Sequence, residues 1–425
     1  MALLYFILIL GITIFIHELG HFIMAKKFGV HVYEFSLGMG PRLFKFNRKN
    51  DETDYCIRLF PIGGFVQMAG EEIEVDEKIP EEKRLQSKPA FQRFLIMVAG
   101  VTMNFILAIV VLFIVGLFSK GISMDTLYIA DSSIDGLNNG SKITAIDDHF
   151  VNNYDKLQLE LIATNYKPFT VKTDDGNVAK INPIAIGNSS MLYGKDYGFS
   201  IDYDSANEED NIIVVNSKLD DVKDGTKIVA VNGNEVNIYH ELIGELKEVD
   251  DKVLFTFENG DGTYDKEITV KKNKKDEIVG YSYGFSIEGH DEKGFFAAIK
   301  YAITKFFSTI EQMFFTIIYL ITGKISVKLL AGPVGMYSIV DTYSHYGFMS
   351  ILSLLSLICI NVGFINILPL PAFDGGHVVF IIIEKIKGSK VSPKVENTIH
   401  TVGLVVLMIL MVLVTYNDIL RIFQK

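Results

Sequence analysis

Apolar residues are gathered along this chain into long uninterrupted runs, and polar and charged residues fill the stretches between them. Four runs reach the length of about 20 residues that a helix needs to cross a bilayer. They cover residues 3–25, 94–118, 347–373 and 397–417. Because 49% of the 425 residues are apolar, the pattern predicts a polytopic α-helical membrane protein with four transmembrane helices.

The segment at residues 295–323 differs from these runs, because Lys300, Lys305 and Glu311 interrupt its aromatic residues. We expect an amphipathic helix at the membrane interface there rather than a fifth span. The chain then divides into a first membrane part (1–118), an inserted polar region, this interfacial helix and a second membrane part (347–425).

The basic residues predict the orientation in the membrane. Residues 26–93 hold twelve Lys and Arg, whereas residues 119–294 hold eighteen Lys, no Arg and thirty-three Asp and Glu. The first loop is therefore expected in the cytosol and the middle region outside the cytoplasmic membrane. The formal net charge of −11 leaves no basic stripe for phosphates, which argues against nucleic acid as a partner.

The middle region contains an internal repeat. Nine residues recur at a spacing of 85 positions: Gly140, Lys142, Ile143, Ala145, Val151, Asn152, Tyr154, Leu157 and Leu161 match Gly225, Lys227, Ile228, Ala230, Val236, Asn237, Tyr239, Leu242 and Leu246. Both copies end in Tyr-Gly-Phe-Ser-Ile, at residues 197–201 and 283–287. Each copy contains a Gly-led turn, a strand, a tight turn and a helix, in an order that resembles PDZ domains. We therefore expect an inserted pair of PDZ-like α+β domains at residues 123–203 and 208–289.

The first apolar run contains the zinc signature His17-Glu18-Leu19-Gly20-His21. Residues four apart share one face of a helix, so both imidazoles can bind one cation while Glu18 takes a proton from bound water. A chance match is disfavoured here, because each ionisable group near the bilayer centre costs about 2.5–3.5 kcal/mol. The cost predicts a catalytic zinc site.

Such a site needs a third protein ligand. Asp374 lies in a Pro-broken, Gly-flanked stretch at the end of the third run, where irregular backbone is tolerated only around an enclosed cavity. Asp374 could instead cap the following helix, and His377 is a rival ligand three residues further on.

These motifs together resemble the site-2 proteases, and among them the bacterial RseP type. The matching features are the zinc signature, Gly63 to Val66, Asn104 to Ala108, the tandem PDZ-like repeats, Gly332 to Gly335, Asn366 with Pro369 and Pro371, and Asp374 with Gly375. Phe373 and Val101 depart from the usual family pattern, both at packing positions.

The resemblance implies an intramembrane zinc metalloprotease that cuts transmembrane segments of other proteins, such as single-span substrates, within the lipid bilayer. It implies that His17, His21 and Asp374 bind Zn²⁺ and that Glu18 is the general base. It also implies a membrane-associated β-loop at residues 55–70. We expect that segment to form a hairpin turning at Gly63 and Gly64, or a purely structural cytosolic hairpin.

An unwound substrate could pair with an edge strand of this loop, which makes Gly63, Gly64 and Phe65 candidate substrate-binding residues. Asn366, Pro369 and Pro371 are further candidates, because Asn366 begins the irregular stretch before Asp374. The PDZ-like pair is expected to filter substrates by size or to dock their termini. Two other functions compete with the protease, namely an inactive PDZ adaptor and a proton-relaying transporter.

Overall fold

The computed structural model describes residues 2–424 except 50, 71–77, 120–121, 188–194, 202–211, 216, 238, 248, 250, 261, 273–277 and 327–329. The chain forms two compact units. The membrane unit comprises Met1–Ile122 and Glu292–Lys425, and the inserted unit comprises Ser123–Asp291.

Helices make up most of the membrane unit and appear twice in the inserted unit. They are α1 (Ala2–Lys27), α2 (Ala90–Phe118), α3 (Tyr154–Ala163), α4 (Tyr239–Lys247), α5 (Phe295–Ile321), α6 (Pro333–His345), α7 (Phe348–Ile367), α8 (Asp374–Lys387) and α9 (Pro393–Gln424). Short 3-10 turns at Glu81–Lys83 and Leu85–Ser87 precede α2.

Four helices of the described chain are long and apolar enough to cross a membrane. They are Ala2–Lys27, Ala90–Phe118, Phe348–Ile367 and, within α9, Lys394–Leu420. Each predicted span falls on one of them, which confirms a polytopic helical membrane protein. The third prediction ran too far, because α7 ends at Ile367 rather than at residue 373. Pro369 disfavours a helical conformation at Leu368, which is extended.

Helix α5 covers the segment that we expected to be an amphipathic helix. It buries Ala302 and Phe306 in a cluster with residues of α1, α2, α6 and α7, and it exposes Phe296 and Phe307 elsewhere. Gly116 of α2 permits this close packing, since a Cβ there would lie 3.0 Å from the Ala298 Cα. The interfacial position of α5 stays a prediction.

A sheet of two long, bent strands lies between α1 and α2 in sequence. Strands β1 (Val32–Asn47) and β2 (Asp54–Met68) pair so that residues 34–37 have partners on both sides. Residues 54–57 flank them on one side and residues 64–67 on the other. The two halves of the segment 55–70 therefore cannot pair with each other, and the predicted hairpin is wrong. The chain instead passes from one side of residues 34–37 to the other, with a φ of +94° at Gly63. Residues 64–68 then form an edge strand.

Glu34 fixes the middle of this sheet through ion pairs. Its carboxylate, 1% exposed, accepts hydrogen bonds from Arg58 at 2.7 and 3.0 Å and from Arg42 at 2.5 Å. Burial alone would raise the pKa of Glu34, but the hydrogen bonds from Arg58 and the nearby guanidinium charges lower it. Removing one member of a buried pair typically costs about 3–5 kcal/mol, because the remaining charge is then buried without a partner, so loss of Arg58 should disturb the strand beside residues 64–68.

The inserted unit is built from short strands. They are β3 (Ile122–Ser132), β4 (Ile143–Ile146), β5 (His149–Phe150), β6 (Phe169–Thr173), β7 (Val178–Ile181), β8 (Ile184–Gly187), β9 (Lys195–Asp196), β10 (Ser200–Ile201), β11 (Val214–Val215), β12 (Lys227–Val231), β13 (Asn234–Glu235), β14 (Lys252–Asn259), β15 (Gly262–Thr269), β16 (Lys271–Lys272), β17 (Ile278–Ser282) and β18 (Phe285–Glu292).

The repeat seen in the sequence has a counterpart in the sheets. Two four-stranded sheets have the same order, β5-β4-β6-β7 and β13-β12-β14-β15. The tight turn of the second copy has positive φ at Asn232 and Gly233, and the first copy keeps positive φ at Asp147 and Asp148. Asp tolerates this left-handed conformation better than most residues, so the degenerate copy makes the same turn.

The two hydrophobic cores of the inserted unit do not follow the predicted ranges 123–203 and 208–289. The core around Phe255 and Phe257 includes Tyr197, Phe199 and Ile201 from the end of the first range. Residues 283–287, at the end of the second range, instead pack on the first core through Tyr283, Phe285 and Ile287. The terminal segment of each range therefore belongs to the other core, and the second core is inserted within the first.

The first core also carries an open apolar groove of about 460 Å³. Helix α3 lines one side with Leu157 and Leu161, and Phe285 and Ile287 of β18 line the other. Strand β18 pairs with β3, and Ser133 N–H, just after β3, donates to the Gly284 carbonyl at 3.0 Å. The two strands are therefore antiparallel, and both ends of the inserted unit lie close together.

Candidate metal centre

Three side chains converge where α1 meets the start of α8. His17 and His21 lie one turn apart on α1, are 8% and 6% exposed, and bring their Nε2 atoms within 3.2 Å of each other. Asp374 Oδ2 lies 3.2 Å from His17 Nε2 and 3.4 Å from His21 Nε2. The structure thus brings together the two histidines and the aspartate that the sequence suggested.

This donor set suits zinc. Two imidazole nitrogens and one carboxylate oxygen are ligands that catalytic zinc sites use, with a fourth position left for water or substrate. Asp374 Oδ2 is buried and accepts no hydrogen bond of ordinary geometry from the described part of the chain, a costly state for a carboxylate unless a cation compensates it. The residues present therefore fit a zinc ion.

The backbone before α8 explains how Asp374 reaches the histidines. Ala372 takes a φ of +74°, and Phe373 is the extended N-cap residue without a side-chain cap bond. A Cβ on Gly375 would lie 2.1 Å from the Leu368 carbonyl oxygen, so only glycine lets the helix start against that bend. Asp374 is the first helical residue and points to the histidines, rather than serving as the N-cap.

His377 belongs to a different cluster. Its Nδ1 lies 2.9 Å from Glu396 Oε1, and its ring stacks on His400 with centroids 3.9 Å apart. The two groups of possible metal donors among the described residues are His17, His21, Asp374 and, separately, His377, Glu396, His400. The geometry therefore favours Asp374 over His377 as partner of the α1 histidines.

Glu18 faces the edge strand of the sheet. The backbone of Val66 lies close enough to interact with its carboxylate, and a Cβ on Gly64 would lie 3.3 Å from Glu18 Cγ and 3.2 Å from Ile14. Strand alternation turns Phe65 to the other face, where the Arg58 guanidinium lies 5.0 Å above its ring. Gly64 is thus beside the candidate base, whereas Phe65 contacts the sheet.

The other predicted substrate residues lie at unequal distances from the histidines. The Asn366 amide nitrogen is 3.4 Å from His17 Nε2. Pro371 packs on α9, where a Cβ on Gly403 would lie only 2.3 Å from it. Pro369 is exposed. An apolar groove of about 450 Å³ runs between Pro371 and α9.

Helix α2 contributes contacts that sequence reasoning did not assign. The Ile96 carbonyl is 2.8 Å from His21 Nδ1, and the Asn104 amide is 3.4 Å from His17 Nδ1. Gly100 lies between them in sequence, against both rings. The available signal was an Asn inside an apolar span, because a polar side chain there is unfavourable without a partner.

Comparison with known proteins assigns the chain to a protein family. The family model of peptidase family M50 matches residues 5–410. The chain belongs to this family. Zinc metalloprotease RasP of Shouchella clausii is 30% identical, with all of both chains aligned. RasP of Bacillus licheniformis is 30% identical over 98% of each chain, and regulator of sigma-W protease RasP of Bacillus subtilis is 28% identical over 98% of each.

The family and these relatives confirm the expected activity. The protein is an intramembrane zinc metalloprotease of a bacterial membrane, with Zn²⁺ as its cofactor. This excludes the inactive adaptor and the proton-relaying transporter as its main function.

Proposed function

We propose that His17, His21 and Asp374 hold the zinc ion of this protease and that Glu18 is its general base. The convergence of the three donor atoms on one buried point supports this assignment. Bound zinc supplies an activated water, whose pKa falls to about 7, and polarises the scissile carbonyl. Glu18 follows His17 on the same helix, where its carboxylate can accept the proton of that water and pass it to the leaving amine.

The edge strand at residues 64–68 is the proposed substrate platform. Among the described residues, Gly64, Phe65 and Val66 pair with residues 35–37 alone, so no strand pairs with their other edge, and Val66 lies beside Glu18. A substrate helix hides its carbonyls in internal hydrogen bonds, so it must be unwound before attack. Strand addition at this edge would hold it extended through backbone bonds that demand little sequence.

The residues around the platform then have distinct roles. Gly63 lets the chain pass from one side of residues 34–37 to the other within the sheet. Gly64 allows close approach to α1, and Phe65 anchors the strand. Asn366, near His17, would contact the substrate backbone. Pro369 and Pro371 keep the adjoining segment irregular, which places Asp374.

The substrates are proposed to be single-span membrane proteins. One relative is named as a regulator of sigma-W protease, which makes membrane-bound regulators of sigma factors candidate substrates, as are signal-peptide remnants. The active site would lie near the cytosolic side, and both termini and the inserted unit would be extracytoplasmic.

The inserted unit is proposed to be a PDZ-like pair that acts as a size filter for substrate ectodomains. A docking role is the second candidate. The open groove between α3 and β18 favours it, because PDZ domains take an extended peptide by strand addition between such elements.

Replacing Glu18 tests the assigned roles. Glu18→Gln keeps the shape of the side chain and removes the base, so we expect cleavage of a reconstituted single-span substrate to fall by about 10²–10⁴-fold. Zinc content should stay at the wild-type level. Glu311→Gln on α5 is the matched control and should leave both quantities unchanged. Cleavage by Glu18→Gln at a rate near that of the wild type would show that another group is the base.

A further inference from the structure

The two histidines on α1 differ in how their second ring nitrogen is held. Both direct Nε2 towards Asp374, so a shared cation leaves each Nδ1 protonated and in need of an acceptor. His21 Nδ1 has one in the Ile96 carbonyl at 2.8 Å. His17 Nδ1 faces the side-chain amide of Asn104 at 3.4 Å.

The amide of Asn104 is completely buried and incompletely bonded. The residue has no exposed surface, and its Oδ1 has no hydrogen-bond partner among the residues that the structure describes. The atom placed towards His17 is Nδ2. With His17 Nδ1 protonated, two hydrogen-bond donors would then face each other. Oxygen and nitrogen of an amide have nearly the same shape, and their assignment follows from the hydrogen-bond network. Rotating the amide by half a turn presents Oδ1 to the His17 N–H.

We propose that Asn104 is the acceptor that positions His17 for zinc through an Nδ1–H···Oδ1 hydrogen bond. The inference rests on His17 being a zinc ligand, as proposed above. It makes α2 a support for both rings, because Ile96, Gly100 and Asn104 are spaced four residues apart and share one helix face. A backbone carbonyl holds one ring, the amide holds the other, and Gly100 leaves room between them.

Such an acceptor fixes the tautomer and orientation of a ligating histidine and raises its basicity, and its loss typically lowers metal affinity about 10–100-fold. Replacing the amide by an apolar group of similar shape leaves no cavity, so the zinc-free protein should still fold, with some loss of stability because His17 then lacks its acceptor. The proposal therefore predicts a loss of zinc affinity in a variant whose zinc-free form still folds.

Two substitutions separate an acceptor from a packing residue. Asn104→Asp keeps an acceptor oxygen in the same shape, whereas Asn104→Leu keeps the size and removes it. We expect the zinc dissociation constant, measured by chelator competition on the full-length protein in detergent, to rise about 10–100-fold for Asn104→Leu. The constant for Asn104→Asp should stay within about threefold of the wild type or fall, since a carboxylate partner strengthens the same bond.

Two references complete the experiment. Asn361→Leu removes another amide from a span, on α7 and outside the zinc cluster, and should leave zinc affinity unchanged. His17→Ala should abolish tight binding; if it does not, the proposed ligand set fails as well. If His17→Ala loses zinc while Asn104→Leu binds like the wild type, Asn104 only packs. If Asn104→Asp binds as weakly as Asn104→Leu, an acceptor oxygen is not what matters. The thermal stability of each zinc-free variant shows that the protein is folded.

Discussion

Gly100 offers the sharpest test of the packing around the histidines. A methyl group at this position would lie 2.3 Å from His21 Nε2 and 2.8 Å from His17 Cε1, whereas ordinary contact begins at 3.4 Å. In Gly100→Ala the His21 ring must therefore move by about 1.1 Å, the difference between 3.4 and 2.3 Å. Helix α2 cannot easily move away instead, because the Ile96 carbonyl on that helix accepts a hydrogen bond from the His21 ring.

A displacement of about 1 Å in a catalytic group can cost about 10²-fold in rate. We therefore expect Gly100→Ala to cleave a reconstituted single-span substrate at least about 10²-fold more slowly, with zinc content reduced in the purified protein. Gly11→Ala on α1 is the matched control, because its added methyl group would meet no described atom within 4 Å beyond the adjoining residues and backbone of its own helix. It should keep zinc and activity and gain a little stability, since Gly inside a helix costs about 0.5–1 kcal/mol relative to Ala. Full zinc content and wild-type cleavage in Gly100→Ala would refute the geometry.

Two further predictions concern the third ligand and the inserted unit. Asp374→Asn should lower zinc content and cleavage sharply, whereas His377→Ala should change them much less, because His377 pairs with Glu396; the reverse ranking, measured on purified protein, would transfer the ligand role to His377. Deleting residues 123–291 and joining Ile122 to Glu292 by a short linker should preserve zinc binding and permit cleavage of a substrate with a bulky ectodomain that the full-length protein spares. Unchanged discrimination would refute the filter, and loss of cleavage of clipped substrates would favour docking.

The metal cluster could be predicted because its chemistry is local. His17, Glu18 and His21 lie within one helical turn and a half, and Asp374 is marked by the prolines and glycines around it. Hydropathy also placed the spans, but it extended the third one over residues 368–373, which are apolar yet cannot continue a helix through two prolines.

The sequence could not predict which distant segments pair with each other. Residues 55–60 and 64–68 have the composition of a hairpin, and nothing in them shows that residues 34–37 lie between them. The exchange of terminal segments in the inserted unit was hidden for a simpler reason. Residues 197–201 and 283–287 are the same pentapeptide, so composition gives no means of telling which core each completes.

The nested cores of the inserted unit set an order of folding. Domains usually fold as units during synthesis, beginning with the N-terminal one. Here residues 127–181 leave the ribosome first but lack Tyr283, Phe285 and Ile287, which pack on their core. Among the described residues, the members of the second core all lie within residues 197–270, so this core can form before the first is complete. The segment that forms one wall of the groove is therefore the last to arrive, and vectorial synthesis delays any ligand capture there until the whole unit has emerged.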